Sequence, residues 1–449
     1  MTVRAETDAS LKARACQVID EQAEALIALA EDIYRHPELG FKEVRTAGLV
    51  AERLTALGIP CETGLALTGV KGIVAGGAPG PTVAVLGELD SLAVSDHPAA
   101  DPATGAAHAC GHNGQIAMMI GAVTGLVRAD VLPSLSGRIA CMAVPAEEYV
   151  EVEYRLGLAR QGKIEFLGGK PELVRLGAFD DVDMAMMVHT SASRDEGRTG
   201  VGVSNNGCVV KQITYIGRAA HAGGTPHRGI NALNAASLAL QAIHANRETF
   251  RDEDAVRVHP IITHGGDVVN VVPADVRLET YVRGRAIEVI TDANRKVDRA
   301  LRAGALAVGA QVRIETLPGY LPLANDADLT ALYKRNAAAL VGDDEVGEIG
   351  HRTGSTDMGD ISHIMPAVHP YAAGATGTGH GNDYQIKDYE TAVLLPAKVM
   401  AMTVIDLLAD GAVEATRVLA ENRPRMTRDG YLSYQRGVAQ TIEFDGGEF

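Results

Sequence analysis

Three short clusters stand close together in this chain: Gly87-Glu-Leu-Asp90, Ala109-Cys-Gly-His112 and Pro145-Ala-Glu-Glu148. They offer acids, a thiol with an imidazole two positions on, and two adjacent carboxylates. Thiolate, imidazole and carboxylate donors together suit zinc, and also manganese, cobalt or nickel. Gly111 lets the backbone turn tightly, so that Cys110 and His112 can face one ion. Glu147 and Glu148 can divide two tasks, one carboxylate holding metal while the other moves protons. Neighbours in a regular strand point to opposite faces, so sharing one site requires the strand to break there. Together these residues read as a metal-dependent hydrolase.

Two more histidines fit the same chemistry. His189 ends the apolar run Met184-Ala-Met-Met-Val188, and His380 lies in the loop Gly374-Ala-Thr-Gly-Thr-Gly-His-Gly381. That loop has neither the lysine of a phosphate-binding loop nor a strand-to-helix setting. A loop that carries an imidazole to a metal accounts for it better. Further along, His221, Asn270 and Arg283 fall in a stretch of different texture. His221 is either a surface residue or one that swings over the site. An arginine such as Arg283 suits a carboxylate on a substrate, although ordinary strand-edge polarity explains Asn270 and Arg283 equally well.

The elements that must position these residues follow from periodicity. Helices are expected over 11–34, 43–57 and 113–127, and buried strands over 70–74, 82–86, 137–144 and 182–188. Three of the strands end at ionisable residues, and in open α/β sheets sites collect beyond the carboxyl ends of strands. From Ser204 the order becomes strand, helix, strand, strand, helix, strand, a split βαβ, ferredoxin-like pattern. The expected organisation is a discontinuous metal-binding catalytic domain, 1–203 and 318–449, with an inserted domain at 204–317. The polar tail from Asp410 is given no role.

Bulk properties narrow the function. With 41 basic against 57 acidic side chains, the formal charge is −16, which argues against nucleic acid or an anionic membrane as partner. The five cysteines are odd in number and scattered, so no disulfide framework is expected and a reducing cytoplasm is the natural setting. The N-terminus lacks the apolar core of a signal peptide. No run reaches the ~18 consecutive apolar residues of a membrane span.

The ordered set of motifs resembles a known family, the metallopeptidases and amidohydrolases that include aminoacylase, carboxypeptidase G and succinyl-diaminopimelate desuccinylase. It is most similar to the branch of auxin-conjugate hydrolases and aminobenzoyl-glutamate hydrolase. The pieces are His36-Pro-Glu-Leu-Gly-Phe41, Gly87-Glu-Leu-Asp90, Ala109-Cys-Gly-His112, Pro145-Ala-Glu-Glu148, Val188-His189, Gly217-Arg-Ala-Ala-His221, Asn270-Val-Val-Pro273, Arg283, Gly354-Ser-Thr-Asp357 and Gly379-His380. The resemblance implies an α/β fold, with a mixed-sheet, zinc-exopeptidase-like catalytic domain and an inserted ferredoxin-like α+β domain serving as lid and dimer contact. It implies one or two divalent ions per subunit, manganese or zinc ahead of cobalt or nickel. Cys110 would bridge, with His112 and His189 on one ion and Glu148 and His380 on the other. Glu147 would be the general base, and Asp90 would orient a ligand imidazole. His221 would steady the oxyanion in the neighbouring subunit of a homodimer or higher homo-oligomer. Asn270 and Arg283 would hold a carboxylate on a small-molecule substrate. The chain departs from the branch at Asn113-Gly-Gln115, where Asp-x-His is common, and in the bulky acidic run Tyr149-Val-Glu-Val-Glu-Tyr154.

The expected reaction is hydrolysis of the amide C–N bond of an N-acyl or N-aroyl amino acid or an aryl amide, with Glu147 passing a proton from water to the leaving nitrogen. The alternative is hydrolytic deamination of an activated aromatic amine such as an aminobenzoate, which would release ammonia. A non-catalytic sensor would normally have lost a ligand or Glu147. A dinucleotide oxidoreductase would need a Gly-x-Gly-x-x-Gly turn after its first strand.

Overall fold

The computed structural model describes residues 8–448. The opening residues 1–7, on which the expectation about a signal peptide partly falls, lie outside the described residues. The chain divides into two compact units. The first holds residues up to Ser204, Ala324–Gly350 and Asp360–Thr427; the second holds Asn205–Leu323, His351–Gly359 and Arg428–Phe449.

A six-stranded sheet organises the first unit, in the order Cys61–Leu65, Gly69–Ala75, Ser136–Val144, Ala78–Glu88, Met184–Met186, Ala367–Val368. The last four strands run parallel, and the first two are antiparallel additions. Val83 to Glu88 are buried without alternation, as expected where helices cover both faces of a parallel strand. Helices His112–Arg128 and Leu395–Leu408 are apolar almost all round and pack in this core. The stretch Glu390–Leu408 is long and apolar enough to cross a membrane, against the reading that no run is, but 89% of its apolar window is buried inside the protein. It is the central core helix.

Because the parallel strands share one direction, their carboxyl ends lie along one edge, where Glu88 and Asp90, Glu147 and Glu148, and His189 emerge. His189–Thr190 then joins a second, small sheet beside Tyr371–Ala372, and its amide donates to Pro370 O at 3.0 Å.

The second unit is an antiparallel sheet flanked by two helices. Gly207–Ile216 lies between Asp275–Gly284 and Gln311–Pro318, and Arg257–Val258 and Ile261–His264 both pair with Asp275–Gly284. Along Asp275–Gly284, Val276, Leu278, Thr280 and Val282 are buried against helices Ala232–Ala245 and Ile287–Val308, while Arg277, Glu279, Tyr281 and Arg283 face outward. This is the expected split βαβ pattern. The second strand of that order is in two pieces, interrupted at His259-Pro260, because proline cannot donate to the ladder.

The chain's end differs from the expectation. Residues 428–449, assigned from sequence to the catalytic domain with no role for the tail, cluster with the second unit. Gln440–Asp445 adds a strand outside Gln311–Pro318, where Ile442 and Phe444 pack on the core. An otherwise bare sheet edge is thereby covered.

Candidate metal centre

Each candidate donor is set by local backbone geometry. Gly111 adopts φ +86°, and a Cβ there would lie 2.1 Å from Thr190 Oγ1. Only glycine allows the turn that places Cys110 just before, and His112 at the start of, a buried helix. Ala146 is left-handed (φ 51°), which supplies the strand break that lets Glu147 and Glu148 serve one region. His380 is also left-handed (φ 63°), and its amide donates to Ala109 O at 2.8 Å, tying the glycine-rich loop to the segment that carries Cys110.

These turns bring the side chains into two triads that share one thiol. Donor atoms of Cys110, His112 and His189 lie within 4.8 Å of one another, as do those of Cys110, Glu148 and His380. Cys110 Sγ is 3.3 Å from His189 Nε2, and His380 Nε2 is 3.2 Å from Glu148 Oε1. Donors on one cation at roughly 2.0–2.3 Å are separated by about 3.0–3.5 Å when their bonds make angles near 90–110°. The donor spacing therefore fits shared cations.

Tautomers point the same way. His112 Nδ1 lies 2.9 Å from Asp90 O and 3.2 Å from Asp90 Oδ1, and His189 Nδ1 lies 2.8 Å from Thr190 O. A carbonyl oxygen can only accept, so Nδ1 carries a hydrogen in both rings and Nε2 is the nitrogen left to face a metal. His112 Nε2 and Glu148 Oε1 are both buried without a hydrogen bond among the described residues. Buried polar atoms left in this state are costly unless an ion or water completes them.

The electrostatics favour a cation. Burial and the Glu148 carboxylate push the Cys110 thiol up, but His189 and His112 more than offset them, leaving it at about 6. The Glu148 carboxylate pushes His380 up to about 12. Burial opposes ionisation of Glu148, yet His380 holds it below the usual carboxylate range. A donor set that draws protons onto its histidines attracts a divalent cation in the same manner.

Around the donors sits a second layer. Asp90 is fully buried; Oδ1 faces His112, and Oδ2 accepts from the Glu148 amide at 2.9 Å. Glu147 is buried, with Oε2 4.0 Å from His112 Nε2. Two contributors, Arg155 and His369, escape a reading of the sequence, and a third, Glu88, stands in the first motif without a role assigned to it. Arg155, fully buried, donates to Leu167 O at 2.7 Å, to Ala146 O at 3.3 Å and to Glu148 O, clasping the loop that carries the glutamates. It stands in a polar helical stretch that gives no hint of burial. His369 is buried with its ring 6.0 Å from that of His189 and with Nδ1–H donated to Met187 O; its place after a short strand is the one available signal. Glu88 is buried against His112. The acidic run 149–154 is largely neutralised locally: Glu151 pairs with Lys42, Lys42 lies over the Tyr154 ring, and Glu153 pairs with Arg160.

His221, Asn270 and Arg283 belong to the second unit. His221 is exposed, and its Nδ1 accepts from the amides of Gly223 and Gly224 at 3.2 and 3.0 Å, so its Nε2 carries the hydrogen. Asn270 is exposed on a neighbouring segment whose backbone bridges to that of His221. Arg283 stacks over Tyr281 and, with Arg257, His259 and Thr353, lines a cavity of about 470 Å³.

Comparison with known proteins identifies the family. The model of peptidase family M20/M25/M40 matches residues 84–404, a span that contains every donor named above. The Xaa-Arg dipeptidase of Mus musculus is 31% identical over 427 residues, covering 89% of each chain. Two solved structures share the fold. A dinuclear metal binding peptidase from Bacillus subtilis has a TM-score of 0.61 at 21% identity, over 86% of this chain and 98% of its own. An aminobenzoyl-glutamate utilization protein from Klebsiella pneumoniae has 0.66 at 20% identity, over 88% and 99%. The chain belongs to peptidase family M20/M25/M40 and is a metal-dependent hydrolase of C–N bonds.

Proposed function

We propose that this enzyme hydrolyses the amide bond of a small N-acyl or N-aroyl amino acid or dipeptide whose free carboxylate is held by Arg283, with Asn270, at the far end of the same ladder, reaching it from the partner subunit as His221 does. One observation carries the reading: two donor triads share the Cys110 thiol, beside a buried glutamate that neither triad uses. Cys110 would bridge two ions, manganese or zinc, with His112 and His189 on one side and Glu148 and His380 on the other. When bound, the ions supply Lewis acidity and bring the pKa of water toward neutral.

The remaining steps fall to the protein's own groups. Glu147 takes the proton of the attacking water and returns it to the leaving nitrogen. Asp90 fixes the His112 ring and the Glu148 backbone together. His221, with its hydrogen on Nε2, donates to the oxyanion, in a cytoplasmic homodimer from the partner subunit. The names of the relatives, an Xaa-Arg dipeptidase and an aminobenzoyl-glutamate utilization protein, support a substrate that ends in an amino acid.

The test is a panel of acyl amino acids, aroyl amino acids and dipeptides given to metal-loaded enzyme, with product analysis. An acid and an amine in equal amounts are expected. A phenol and ammonia from an aminobenzoate, with no amide cleaved, would overturn the proposal.

A further inference from the structure

Glu88 is fully buried, and each of its polar groups is fixed by a partner. Its amide donates to Gln115 Oε1 at 3.2 Å. Gln115 Nε2 donates to Oε2 at 2.8 Å, and the fully buried ammonium of Lys170 donates to Oε1 at 2.6 Å. Gln115 stands one helical turn after His112, so the residue that clamps Glu88 and the imidazole it faces ride on the same element. Oε2 then lies 3.1 Å from His112 Nε2, although Nε2 makes no hydrogen bond among the described residues. The two atoms are close without the alignment of a hydrogen bond. That is the spacing of neighbouring donors on one cation, about 3.0–3.5 Å. Glu88, His112 and Glu147 also form a compact donor group of their own.

We propose that Glu88 is a further metal donor, its Oε2 completing the ion held by His112 while Lys170 and Gln115 keep the carboxylate aimed. This rests on the reading of Cys110, His112 and His189 as ligands. The clamp makes physical sense for such a role. A carboxylate with one oxygen committed to an ammonium cannot rotate, and the other oxygen stays turned toward the ion. The Lys170 charge also balances an additional anion at a site that already holds a thiolate and two glutamates.

The test titrates cobalt(II) into metal-stripped protein, reading bound metal per chain and the visible absorption of the bound ion. Three proteins are compared: the parent, Glu88→Gln, and Glu88→Gln with Lys170→Met. The double variant also removes the buried ammonium that donates to Glu88, and so keeps the experiment decisive if the single variant fails to fold. The parent is expected to bind two ions. Both variants should bind one of them about 10- to 100-fold more weakly, with a changed spectrum, while the double variant regains metal-free thermal stability. A double variant that binds both ions with the parent's affinity and spectrum overturns the assignment, leaving Glu88 a structural partner of Lys170. A parent that binds no cobalt would instead overturn the metal reading on which the proposal rests.

Discussion

Asp90 joins two ligand-bearing segments, and replacing it by asparagine tests how much that joint matters. The carboxylate accepts twice: Oδ1 faces the Nδ1–H of His112 at 3.2 Å, and Oδ2 takes the Glu148 amide at 2.9 Å. Asparagine keeps one acceptor and puts an NH2 group at the other position, so one of the two buried N–H groups must face another donor. His112 still has Asp90 O at 2.9 Å, so the amide oxygen should turn to Glu148 and the imidazole should lose the charged neighbour on its Nδ1 side. An imperfectly paired buried group costs about 1–3 kcal/mol. At about 1.4 kcal/mol per tenfold, metal binding should weaken by roughly 5- to 100-fold. The assay is competition for metal between a calibrated chelator and stripped protein, with the metal-free melting temperature measured in parallel to expose any general loss of fold. Parental affinity in a normally folded Asp90→Asn protein would refute the claim that Asp90 orients a ligand.

Other expectations follow from the same geometry. Glu147→Gln should lower kcat by about 10²- to 10⁴-fold, the range of a removed general acid–base, without changing metal content by elemental analysis. The Cys110 thiol stands at about 6 in the metal-free protein, whereas burial holds Cys16 at about 11. Thiolate forms as pH rises through the pKa, so iodoacetamide labelling of the Cys110 peptide should rise between about pH 5 and 7 and then level off. Added metal should protect it; mass spectrometry reads both. Arg283→Ala should raise KM by about 10- to 100-fold for substrates with a free carboxylate, the loss of a charge-assisted hydrogen bond, and leave their methyl esters unaffected.

Much of the site could be read before any coordinates. Donor type, position at strand ends and the glycine at 111 are local properties, and the shared direction of parallel strands converts them into a common location. The strand break at Glu147 could also be anticipated, because two adjacent glutamates at one site demand it; Ala146 supplies it. Arg155 and Lys170 could not be foreseen. Each is a long cation in a polar stretch, where exposure is the usual outcome, and their burial depends on carbonyls and a carboxylate that only the tertiary fold assembles. The terminal strand was missed for a related reason. Ile442 and Phe444 alternate over too few residues to stand out, and their value arises only once Gln311–Pro318 presents an edge to cover.

The most direct test is anomalous diffraction from crystals grown with manganese or zinc. Two peaks should flank the Cys110 sulfur, one within about 2.0–2.4 Å of His112 and His189 nitrogens and the other equally near Glu148 and His380. A single peak away from Cys110, or none in protein that is active and metal-loaded, would contradict the shared-thiolate centre.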